Sequence, residues 1–522
     1  MCSDQGSDAS PPPSGMGFEE HELESGAVLI VRSAVARRLR PSLHLHSAHR
    51  VALTGGALAL AVLACALVWP ELASAHGLVG RAYLPFPPWL FAWAAGAVLI
   101  ISFVGLGRLW SAPRLEHPAP RRLFGLPRYL EPVCGVIGVG LFVLTVYSGV
   151  RGSQIPTANL TPTMVYVLFW VAVPVLSAFL GDVFRPFNPW RAIARAIAWI
   201  GRRTGTSGLV GEPLPYPAWL GRWPAVIGIF GFAWLELVFI NREDPSTLAL
   251  LTAAYALVQL VAMAFFGIER WSERGDAFGV VFNLFAHLSP LEYHDGAVYW
   301  RTPLSGLTSV ETMPGTAPLL CAMIGTTTFD GASNGPVWRS VAPSVVSDLE
   351  HLGLGGVTAF EVTGALGILF CILLCAAVYW IGIRGMQSVS GEHRTRELGT
   401  RFIHTIIPIS FGYLLAHYFS LLVTQGQATA LFISDPLGTG SNFFGTGNFQ
   451  IDWGLISAAV IWYVQVAALV GGHVSGLMVA HDRALVVYDG DVAEAAESQR
   501  WMLLVMVTFT CFGLWLLSAV NT

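Results

Sequence analysis

The chain has 522 residues, of which 54% are hydrophobic and 12% charged, with a mean hydropathy of +0.59. That charged fraction is about half of what a water-soluble domain carries, and several windows of about 20 residues hold no charge at all, as a membrane crossing requires. A soluble fold would have to hide runs such as ALGILFCILLCAAVYWIGI in its core, and the formal net charge of −4 argues against nucleic acid as a partner.

All 29 basic residues are arginine, and the seven cysteines fall mostly within apolar runs. Cys371 and Cys375 share a helix face, where CILLC reads as packing and not as a metal clip. No disulfide framework is visible.

In chain order, residues 1–47 open with the polar MCSDQGSDASPPPSG and continue into the basic RSAVARRLRPSLHLHSAHR; the expectation is a disordered cytoplasmic segment. Residues 48–75 combine an apolar run with Ala73-Ser74-Ala75, the pattern of a signal peptide, and read equally as a first transmembrane helix. Cleavage after Ala75 would make His76 the new N-terminus, whose amine and imidazole suit copper. Residues 76–522 are expected to form a single helical membrane domain.

Further apolar runs lie at about 88–110, 130–150, 160–181, 219–241, 246–268, 357–383, 402–424, 452–479 and 500–519. Within 275–330, GVVFNLFAHLSP and APLLCAMIGTTTFDG are each short for a crossing and predict one crossing plus a re-entrant or surface segment. The fold class is therefore all-α, a polytopic bundle of about 10–11 spans. Arginines cluster before the first span, at 108–128, at 185–203 and at 384–401, which places those loops and the N-terminus inside and the C-terminus outside a bacterial plasma membrane. NPWRAIARAIAWIGRR (188–203) predicts an amphipathic helix on the inner surface.

Ionisable groups inside spans are costly and point to function. They are Glu236, Glu361, His404, His417 and His473, with His481 and Asp482 at a span end. Counting depth from the topology gives an inner grouping of His404 and His473, with His481 and Asp482 at its edge. It gives an outer grouping of His417, Glu236 and Glu361, which Asp330 and His76 can reach. His473 and His481 stand about 12 Å apart along one helix, and His404 and His417 about 20 Å. Neither pair can chelate one ion, so a centre must be assembled between helices. Carboxylate with imidazole suits zinc, iron or manganese. As packing residues the same histidines would simply hydrogen-bond a neighbouring helix.

The Gly-rich outer loop QGQATALFISDPLGTGSNFFGTGNFQID, with Asp435, is placed to cap the outer grouping as a lid. There is no Walker motif and no CxxC, and GTGSNFFGTG has no strand before it, which disfavours nucleotide-dependent chemistry.

Several stretches together resemble a family: AHGLVGRAYLPFPPWLFAWAAGAVLIISFVGLGRLW, GDVFRPFNPWRAIARA, TTTFDGASN, HTIIPISFGYLLAHYFSLLVTQGQ, SDPLG and WYVQVAALVGGHVSGLMVAHDRAL. Across about residues 75–485 they are similar to multi-span actinobacterial membrane proteins named fenitrothion hydrolase. The resemblance implies attack of water on a lipophilic phosphotriester, chemistry that one or two metal ions held by His and carboxylate would support. Glu361 or Asp330 would then serve as ligand or general base, and His417, Glu361, His404, His473, Glu236 and His76 are the candidate metal ligands. The alternatives are a transporter with the same groups along a polar path, a copper-handling protein using His76, and a structural subunit of a membrane complex.

Overall fold

The computed structural model describes residues 88–116, 119–205, 212–390 and 394–520. The segments 1–47 and 48–75, the Ala75–His76 bond and His76 itself lie outside the described residues. Each apolar run becomes a helix. They are α1 (Pro88–Leu109), α2 (Leu130–Arg151), α3 (Leu160–Leu180), α6 (Trp223–Leu237), α7 (Pro245–Phe266), α12 (Gly356–Ser390), α14 (Ile406–Gln425), α16 (Ala458–Val487) and α17 (Val492–Val520). Short helices fill the connections: α4 (Phe184–Phe187), α5 (Pro189–Thr204), α8 (Ile268–Arg274), α9 (Ala277–Ala286), α11 (Pro336–His351), α13 (Thr395–Phe402) and α15 (Ala428–Ser434). α10 (Thr316–Ser333) completes the bundle. Among the described residues six helices are long and apolar enough to cross a membrane, and three apolar ones are shorter.

Polar side chains fix the starts. Asn159 accepts from the Thr161 N–H, Asn188 from Arg191, and Asp244 from Thr247, opening α3, α5 and α7. Each satisfies a donor that a helix start leaves without an intrahelical partner. Within α3, Thr163–Ala172 widens to π geometry and ends two residues before Pro174. Proline has no N–H to give, and its ring crowds the carbonyl a turn earlier, so the ladder opens there.

Segment 275–330 holds two helices with a hairpin between them. α9, with ten residues, is too short to cross. After it β2 (Leu291–His294) and β3 (Ala297–Trp300) form a hairpin closed by Asp295 and Gly296, both at positive φ, the geometry that an Asp-Gly turn favours. β3 also pairs antiparallel with β1 (Arg121–Gly125), giving the order β1-β3-β2. The chain after α1 and the chain after α9 therefore meet at one end of the bundle. TTTFDGAS is no re-entrant loop: it closes α10, whose residues are buried on nearly every side. Gly325 lets α10 lie against the α12 backbone, since a Cβ there would stand 2.6 Å from the Ile372 Cα.

Ion pairs gather at the end that holds the sheet. Buried Arg191 of α5 bonds Glu131 of α2 at 2.7 Å and Glu269 of α8 at 2.9 Å, and Arg185 reaches Glu269 at 3.0 Å and Glu273 at 3.2 Å. α5 is the amphipathic helix expected at 188–203, with Ile197, Trp199 and Ile200 exposed.

α14 and α16 cross antiparallel at glycines. A Cβ on Gly412 would sit 2.7 Å from the Ala468 carbonyl oxygen, and one on Gly472 would sit 2.6 Å from that of Pro408. Neighbouring Gly471 faces open space. Gly472→Ala is therefore expected to destabilise by about 1–3 kcal/mol through forced separation of the helices. Gly471→Ala should be neutral or stabilising by up to about 1 kcal/mol. Thermal unfolding of the two variants side by side checks this, and equal Tm values would contradict the close crossing.

Candidate functional site

Three helices of the bundle converge on one polar cluster. Asp330 stands in the last turn of α10, and His417 lies on α14, which packs against it. Their side chains share a hydrogen bond, His417 Nε2 to Asp330 Oδ2, of 2.5 Å. Glu236 of α6 lies beside Asp330 and Tyr418, the residue after His417. Trp170 of α3 lies near Tyr418, its indole N–H buried without a hydrogen-bond partner, and the Tyr418 ring meets the His417 ring edge-on at 4.8 Å between centroids. Depth along the helices grouped Glu236 and His417, with Asp330 expected to reach them from a re-entrant segment; it reaches them from the last turn of α10. Tyr418 and Trp170 are additions, since an aromatic residue in an apolar run carries no signal of its own.

The pair is not sealed: the side chains of His417 and Asp330 are 20% and 25% exposed. With Nε2 donating to the carboxylate, the imidazole is held in one tautomer and Nδ1 keeps its lone pair. A fixed imidazole with a free nitrogen, a second carboxylate and a phenol can take, hold and return a proton.

Glu361 belongs to the same end but turns away. Its carboxylate accepts from the Ile240 backbone N–H at 3.3 Å, and its carbonyl from the Trp234 indole at 3.4 Å, so it pins the loop after α6. The Gly-rich outer loop is not a lid over the pair. It docks on the end of α2 and the α2–α3 connection, where Ser148 Oγ donates to the Pro436 carbonyl at 2.5 Å and the Ser153 N–H to that of Leu437 at 2.7 Å. Asp435 spends its oxygens on the Thr439 and Gly440 amides of that loop.

The inner histidines have separate partners. His473 Nδ1 faces the Leu469 carbonyl at 2.9 Å, one turn back on its own helix. His404 is buried with no protein partner for its Nε2. His481 Nε2 meets the Trp110 carbonyl at 3.0 Å. Asp482 accepts from the Trp110 indole at 2.9 Å, the Arg114 N–H at 2.6 Å and the Leu115 N–H at 3.1 Å. Arg483 pairs with Glu116 at 3.0 Å. His481-Asp482-Arg483 is thus a clasp that holds the 110–116 loop after α1 to the end of α16.

Among the described residues no three His, Cys, Asp or Glu side chains converge as a metal ion would need. Asp330 and His417 also spend ligating atoms on each other. The described residues thus form no donor set for the zinc, manganese, iron or copper centre expected from residue types, and no chemical step is derived through one.

Two features escape a reading by depth. Gly331-Ala332-Ser333-Asn334-Gly335 has GxSxG spacing, but here it ends a helix instead of turning from strand to helix. Ser333 donates to the Asp330 carbonyl at 2.8 Å, away from the imidazole. The second is Asp276, fully buried at the start of α9, which accepts hydrogen bonds from Asn188, Trp190 and Tyr255.

No protein-family model, curated protein or solved structure matches this chain.

Proposed function

We propose that this is a multi-pass plasma-membrane enzyme whose working site is the Asp330–His417 pair with Glu236 and Tyr418, and that it hydrolyses a lipophilic ester of the phosphotriester type. The observation that carries this reading is the 2.5 Å His417–Asp330 hydrogen bond. It orients a general base among apolar helices, where a bilayer-dissolved substrate is concentrated. The arginine-rich end, with the sheet and the α5 network, faces the cytoplasm by the positive-inside rule, so the pair lies in the outer half.

In this chemistry His417 Nδ1 takes a proton from water as the water oxygen bonds to phosphorus. The P–O bond to the aryloxide breaks, and the aryloxide leaves with the electron pair. A proton from Glu236, or from the imidazolium, then neutralises the leaving oxygen. The test is release of nitrophenolate from a membrane-soluble nitrophenyl phosphotriester by the purified chain in liposomes. Release above the level of empty liposomes is expected, and a rate no higher than theirs would overturn the hydrolase.

A second reading, a proton-coupled transporter, is favoured by the meeting of two carboxylates and an imidazole from three helices inside the bundle. It predicts solute-driven acidification or alkalinisation of the same liposomes with no bond cleaved.

A further inference from the structure

A second feature of the bundle is apolar and independent of the acid–base reading. A cleft of about 890 Å³ separates α2 and α7 from α3 and α6. That volume lies in the range of sites that enclose a small molecule, about 300–1,000 Å³. Along α3 the lining runs from Leu160 to Leu176, about 24 Å of helix, so the cleft is long as well as large. Phe187 and Trp190 line it toward the arginine-rich end, and Phe432 and Pro436 toward the other.

The cleft opens sideways. Leu141, Leu176, Leu251 and Ile433 line it and are 44%, 44%, 38% and 56% exposed. Side chains of this kind face lipid, not water, in a chain of this composition. The few polar groups in the wall are mostly spent: Thr145 donates to the Leu141 carbonyl at 2.7 Å and Tyr255 to Asp276 at 2.8 Å. The Thr429 hydroxyl alone is buried without a protein partner. A wall so poor in free polar groups does not hold ordered water, which needs two to four polar partners. Left empty, it would forfeit the dispersion contacts that a packed interior gains.

We propose that this cleft is a binding site for the hydrocarbon chain of a membrane lipid, entering laterally from the bilayer. The aromatic wall also brings it close to the acid–base cluster. Phe232 lines the cleft and packs on Trp170 at 4.7 Å between ring centroids, and Trp170 in turn lies near Tyr418.

Gly231 offers the test. It lines the cleft, and a Cβ built on it meets no atom within 4 Å, so Gly231→Phe adds bulk at the cleft from a position whose first side-chain atom strikes nothing. The probe is phosphatidylglycerol carrying a diazirine on its acyl chain, reconstituted with the full chain, photolysed and mapped by peptide mass spectrometry. In the wild type the label is expected on Leu141, Leu251 and their cleft neighbours. It should survive an excess of unlabelled lipid better than label on outward-facing Val136 or Ile227. Gly231→Phe should lose the cleft label severalfold at an unchanged Tm, with Thr252→Phe as a second filling variant should the first misfold. Gly140→Phe, outside the cleft and in open space, should keep it. Label spread evenly over the apolar surface, or undiminished in a folded filling variant, would overturn the site whatever the acid–base pair proves to do.

Discussion

Asp330→Asn and His417→Gln are each expected to lower hydrolysis by about 10²–10⁴-fold, the span that a positioned general base supplies, with little change in Tm. The two substitutions act through different atoms. His417→Gln removes the nitrogen that takes the proton. Asp330→Asn leaves the imidazole in place but turns a carboxylate that only accepts into an amide that can donate. The amide can then donate to Nε2, which moves the ring proton to Nδ1 and removes the lone pair that would attack water's proton. Glu236→Gln should lose the ability to return a proton, and so should slow aryloxide departure most for the more basic leaving groups. Glu361→Gln is the internal control. Its carboxylate serves the Ile240 N–H, so its rate should stay within about twofold while the Tm falls slightly. Wild-type rates in both Asp330→Asn and His417→Gln would remove the pair from the chemistry. A Glu361→Gln loss as deep as theirs would extend the site to the loop after α6.

Depth was legible in the sequence, and rotation was not. Hydropathy places each helix along the membrane normal, so counting residues puts Glu236 and His417 near one height, and the structure brings them together with Asp330. The same count puts Glu361 there too, yet its side chain turns to the loop at 239–240. Azimuth depends on packing against partners far along the chain, which a single helix's pattern does not encode. His404 and His473 show the same limit: the facing of α14 and α16 is set by the close approach at Gly412 and Gly472, while His473 turns to its own helix. The His481-Asp482 clasp joins residues about 370 positions apart, as in Asp482 with Trp110 (|i−j| = 372), beyond any local signal. The hairpin at 291–300 has a signal of its own: LEYHDGAVYW carries an Asp-Gly turn between two β-prone runs, too short to register in the hydropathy of a membrane span.

The largest effect on stability is expected at Asp276, where Asp276→Ala should cost about 3–5 kcal/mol. One carboxylate ties three helices. Its Oδ2 accepts from Asn188 at 2.9 Å and Trp190 at 2.7 Å, both at the start of α5, and its Oδ1 accepts from Tyr255 of α7 at 2.8 Å. The residue itself opens α9. Alanine would leave a buried amide and an indole without an acceptor, each a cost of about 1–3 kcal/mol. Asparagine should lose much less. Its carbonyl can serve Asn188 and Trp190 while its amide donates to the Tyr255 oxygen, which rotates from donor to acceptor. The pH dependence gives a second readout. Burial raises the Asp276 carboxyl above the ordinary carboxylate range, against the pull of its donors. The folded state therefore holds this proton more tightly than the unfolded one, and the site's contribution to stability falls as pH rises from about 4, the ordinary carboxylate value. Asp276→Asn removes that titration, so its Tm should vary less with pH over the mildly acidic range than the wild type's. Thermal unfolding in detergent across pH reads both effects. An alanine variant within about 1 kcal/mol of wild type would mean that water already satisfies the donors, and that α5, α7 and α9 are held by their rings alone.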